Sequence, residues 1–67
     1  MVVTQSERDQ VIGVLQTCEG KHSSLVILRI MKAMSCGHIR AGNLLKNVVG
    51  KELAHIDGFK VYVGGKQ

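Results

Sequence analysis

Asp57-Gly58 stands between two short apolar-rich segments, Leu53-Ala54-His55-Ile56 and Phe59-Lys60-Val61-Tyr62-Val63. Asp-Gly is a preferred pair for a two-residue type I′ turn, whose twist matches that of paired strands. A hairpin over residues 53–63 is expected, with Ile56 opposite Phe59 and Ala54 opposite Val61. Ala54, Ile56, Phe59, Val61 and Val63 then share one face, and His55, Lys60 and Tyr62 the other. Register and apolar pattern agree, as a half-buried hairpin requires.

Upstream, the apolar period changes to that of helices. Thr4 and Glu7 have the spacing of a capping box, in which hydroxyl and carboxylate accept free backbone N–H groups. Val11, Ile12, Val14, Leu15 and Cys18 follow as a stripe, so a first helix is expected over about 5–18. Gly13 weakens it slightly, and Gly20 stops it. A second helix is expected over 23–35, capped by Ser23 and ended before Gly37. Leu25, Val26, Ile27, Leu28, Ile30, Met31, Ala33 and Met34 leave only Arg29 and Lys32 charged on it. A helix apolar on nearly all sides is central to its fold or packs on another molecule. Leu25, Ile27, Leu28, Ile30, Met31 and Met34 are therefore candidates for a homodimer or partner interface.

The third helix is expected over 39–49, with Gly50 as its stop and a start as late as Asn43 because of Gly42. Leu44, Leu45, Val48 and Val49 form its inner face. Arg40, Asn43, Lys46 and Asn47, three and four apart, share the opposite one. Val2-Val3 offer a third strand, and Gly64 to Gln67 read as a mobile tail.

At 67 residues the chain allows one domain, 1–67, which buries roughly 60% of its unfolded surface. Apolar residues at 45% and charged residues at 21% exclude disorder, and the absence of proline leaves nothing resembling a linker. The longest apolar run, Leu25 to Leu28, is far too short to cross a membrane. The start, Met1 to Gln5, lacks the features of a signal peptide, and Cys18 and Cys36 do not make a disulfide scaffold. The expected location is the cytoplasm, or the nucleus in a eukaryote, with both thiols reduced. Net charge is +4 and unevenly spread. Lys21, Arg29, Lys32, Arg40, Lys46 and Lys51 follow one another with no acidic residue between, which favours a polyanionic partner.

Two helices joined through Cys36-Gly37-His38 and followed by a hairpin resemble a winged-helix domain. The resemblance spans nearly the whole chain and rests on element order and one glycine. It implies an α+β fold of three helices and a C-terminal hairpin. It also implies a DNA-binding transcriptional regulator, acting by occupancy without catalysis and needing no cofactor. In that family the helix after the turn enters the major groove and the hairpin touches backbone. By position, Arg40, Asn43, Lys46 and Asn47 would then face duplex DNA, with Lys60 on the wing and Lys51 among the lysines near phosphates. Arginine and asparagine make bidentate contacts to guanine and adenine, and lysine meets phosphate. The chain departs from the pattern in its two-residue wing turn and in Gly42. Winged helices also bind proteins, so the alternative is an interaction or assembly module docking through the second helix.

Other constellations fit less well. Cys18, His22, Cys36 and His38 have zinc-ligand chemistry without the usual paired spacing, so no metal is expected. Cys36 with His38 or His55 lacks a third residue to orient the base. Gly50-Lys51 and Gly64-Gly65-Lys66 lack the spacing of a phosphate loop. Single-strand RNA recognition on a stacking sheet is disfavoured, because the hairpin register puts Phe59 and Tyr62 on opposite faces.

Overall fold

The computed structural model describes residues 2–65. Its elements run α1 (Gln5–Thr17), β1 (Lys21–His22), α2 (Ser23–Met34), α3 (His38–Gly50), β2 (Ala54–Asp57) and β3 (Lys60–Val63). Three helices thus precede an antiparallel strand pair, and the fold is mixed α+β. Helix bounds fall within a residue of those expected, because caps and apolar stripes are local signals.

Thr4 caps α1 as expected: its Oγ1 accepts the Glu7 backbone N–H at 3.1 Å, and Glu7 Oε1 accepts that of Thr4 at 3.1 Å. Val11 and Leu15, one turn apart, are the fully buried residues of α1. In α2, Ser23 is the first helical residue and not the cap. His22 caps instead, its Nδ1 accepting the Ser24 N–H at 3.0 Å. A left-handed Ser35 (φ 52°) ends α2.

Gly42 does not delay α3, which starts at His38 and keeps the glycine in its interior. Nor does Gly50 stop it. Glu52 takes the left-handed conformation (φ 60°), with its N–H bonded to Val49 O and that of Leu53 to Val48 O. Those two bonds make a Schellman reversal and aim the chain into β2.

The hairpin forms, but its pairing is slipped by two residues from the expected register. Asp57 pairs with Lys60, Ile56 with Val61, His55 with Tyr62 and Ala54 with Val63. The loop is therefore Gly58-Phe59, with Gly58 at φ 64° as the first central position of a type II′ turn demands. Moving the turn by one residue leaves the two strand faces unchanged, so the apolar pattern does not discriminate between the registers. It does remove Phe59 from the inner face.

The third strand is Lys21–His22 and not Val2-Val3. It joins the free edge of β3, pairing Lys21 with Val61 and His22 with Lys60, to give the order β1-β3-β2. Gly20 N–H to Val61 O and Ser23 N–H to Phe59 O, both 2.7 Å, extend that ladder. This arrangement is compatible with a winged-helix layout.

The core is Val11, Leu15 and Cys18 from α1 and its cap, Val26 and Ile30 from α2, Ala41, Leu44, Leu45 and Val48 from α3, and Ala54 and Val61 from the sheet. Ile30 is therefore core and is unavailable to a partner. Ile27, Met31 and Met34 pack partly against that core, which leaves Leu28 (59%) and Leu25 (36%) as the exposed leucines of α2. Ile56, on the edge strand β2, is exposed, whereas its partner Val61 on the central strand is buried. Gly64 is tied to Leu53 by a 2.8 Å backbone hydrogen bond and is part of the fold. Gly65 is described and exposed, and Lys66 and Gln67, the last two residues of the expected tail, lie outside the described residues.

Candidate nucleic-acid interface

Burying Ala41, Leu44, Leu45 and Val48 turns the opposite side of α3 to solvent. Ile39, Asn43 and Lys46 occupy it, and no hydrogen bond among the described residues holds either polar side chain. Lys51 follows at the C-cap, exposed, with its N–H bonded to Asn47 O. A cation there complements the partial negative charge of the helix end.

Arg40 and Asn47 are less exposed than Asn43 and Lys46, and Arg40 has a partner within the fold. Arg40 Nη2 forms an ion pair with Glu7 Oε2 of α1, and both side chains are partly shielded from water. Glu7 thus serves the α1 cap and α3 at once. The Thr4 backbone N–H does most to hold its carboxyl below the ordinary 4.5; partial burial opposes this, and Arg40 adds to it. Asn47 is half-buried, with an enclosed Oδ1 that accepts no hydrogen bond. Lys60 stands on the sheet face turned away from the helices, since its neighbour Val61 is buried beneath the sheet. The six residues expected to touch nucleic acid are therefore divided among several elements, and Arg40 is engaged within the fold. Asn43 and Lys46 lie together on α3, Lys51 is at its end, and Lys60 is on the sheet.

Compared with protein families, curated proteins and solved structures, the chain matches none. The functional reading rests on its own side chains.

Two features of the site escape the sequence. Lys21-His22 is too short to show alternation, so β1 leaves no periodic signal. The new hairpin loop also changes the aromatics: Phe59 stacks on His22 (5.3 Å, 13°), Tyr62 stacks on His55 (5.2 Å, 17°), and Phe59 and Tyr62 line one groove. The expectation that they face apart is corrected.

The remaining chemistry is accounted for by packing. Cys18 is buried and its thiol donates to Val14 O at 3.0 Å, while His55 Nδ1 bonds Gly64 O at 2.9 Å. Among the described residues, no three of the histidine, cysteine, aspartate and glutamate side chains converge as a metal site. No described helix is long and apolar enough to cross a membrane.

Proposed function

We propose that this protein is a winged-helix-like module that binds duplex DNA by occupancy, with the solvent face of α3 toward the major groove. The observation that carries the reading is an exposed α3 face holding Asn43 and Lys46, in a stretch from Lys21 to Lys51 without a single acidic residue. Asn43 has the donor and acceptor pair that matches adenine, and Lys46 and Lys51 supply phosphate contacts. The hairpin adds Lys60. Arg40 acts through the fold by tying α3 to α1, and it is not counted among the contacts.

The test is fluorescence anisotropy with a labelled duplex at low and moderate salt. Affinity falls with salt, and the Asn43→Ala, Lys46→Ala double variant weakens it while keeping the wild-type melting temperature. Unchanged affinity in that variant overturns the role of α3.

A second reading rests on Leu28 and Leu25, exposed side by side on α2. Here a second copy of the chain covers them. Two leucines supply little of the roughly 800 Å² per partner that a stable interface buries, so DNA binding is the better supported. If self-association runs through this face, Leu28→Glu lowers the sedimenting mass; an equal mass for variant and wild type refutes it.

A further inference from the structure

The outward side of the sheet carries more flat, exposed ring surface than a wing contact to phosphate requires. Phe59 is 71% exposed although its ring already rests on His22. Tyr62 rests on His55 and reaches across to Gly20, where an added Cβ would lie 3.6 Å from the ring. Gly20 has φ 78°, a left-handed backbone conformation that favours glycine. Phe59 and Tyr62 line an open groove of about 540 Å³ together with Lys60, which shares the outward face of β3 with Tyr62, and Lys21, which borders it from the edge strand β1. That volume lies within the rough 300–1,000 Å³ range of ligand sites.

The chemistry of the lining selects the occupant. Two ring faces suit flat partners, and stacking tolerates any base because every base has a π-face. Lys21 and Lys60 are exposed and, among the described residues, not ion-paired. Asp57 is the one acidic residue in the lining, so the groove keeps a positive balance. A protein segment would need apolar depth that this open surface lacks, whereas the bases and phosphates of a strand match a lining of two rings and two ammonium groups. We propose that this sheet face binds an unpaired stretch of a nucleic-acid strand, with bases stacked on Phe59 and Tyr62 and phosphates held by Lys60 and, from the edge strand, Lys21. The proposal goes beyond the duplex reading and uses none of the α3 residues.

Labelled oligothymidylate, which forms no duplex, is the probe, titrated by fluorescence anisotropy and followed residue by residue by NMR. Wild type binds, with shifts concentrated at Lys21, His22 and Phe59 to Tyr62. Phe59→Ala weakens binding roughly tenfold, as expected for loss of one stacked base, and Phe59→Trp preserves it. Phe59 is outside the core, so both variants keep the wild-type melting temperature. The Asn43→Ala, Lys46→Ala variant binds oligothymidylate normally, which separates this site from the one on α3. An abasic strand of the same length binds more weakly, and thymidine monophosphate more weakly still. No binding, an unaffected Phe59→Ala variant, or equal affinity for the abasic strand would each overturn the proposal. Equal affinity for the mononucleotide would assign the groove to free nucleotides and overturn the strand reading.

Discussion

Glu7 joins two helices through one carboxylate: it accepts the Thr4 N–H at the start of α1 and the Arg40 guanidinium from α3. Because its folded-state value lies below the ordinary 4.5, its contribution is present above that value and is lost as pH falls through the depressed one. Melting temperature should therefore drop as pH falls below the ordinary 4.5, and the drop should shrink in Glu7→Gln. Glutamine still serves a capping box, so the comparison isolates the charge. An identical acid profile in the variant would show that Glu7 does not couple folding to pH. Of these two contacts only the cap is legible in the sequence, since Thr4 and Glu7 are three residues apart. Arg40 is 33 residues away, and nothing in its own surroundings points to α1. Gly58 is a second local determinant. Alanine at its φ of 64° should destabilise the hairpin by about 1 kcal/mol or more, measured by urea unfolding.

Helix α2 shows how a pattern can mark burial and still misplace the surface. Its apolar excess suggests a central element, yet only Val26 and Ile30 are fully buried, because periodicity does not say how much of the stripe its neighbours cover. Ile30 lies between α1 and α3 and is fully buried, whereas Leu28 is in water. Ile30→Ala should cost about 2–5 kcal/mol, and Leu28→Ala should stay within about 0.5 kcal/mol, both by chemical denaturation. Comparable losses would mean that α2 is oriented differently. Helix α3 is regular through Gly42, and no atom lies within 4 Å of the Cβ an alanine would add there. Gly42→Ala should stabilise the protein by about 0.5–1 kcal/mol through reduced backbone entropy. In the hairpin, the existence of two strands is legible from alternation and turn chemistry. Their register is not, because both registers keep the same faces and differ only in which residues enter the loop.

For the molecule as a whole, the six expected contact residues divide among a helix face, a helix–helix brace and a sheet groove. If Lys46, Lys51 and Lys60 each meet a phosphate in the duplex complex, log affinity should fall with log salt at a slope of about −3. A slope near zero would exclude a phosphate-dominated interface. Sequence alone determined the three helices, the hairpin, the thin apolar core and the one-sided basic charge, since caps, turns and periodicity act between residues a few positions apart. The tertiary structure decided which strand completes the sheet, which way Arg40 turns and that Phe59 and Tyr62 share a groove. Those outcomes depend on pairings between residues far apart in the chain, where β3 must meet β1 and α1 must meet α3. Such contacts are specified by the packing of the whole core and leave no period in any one segment.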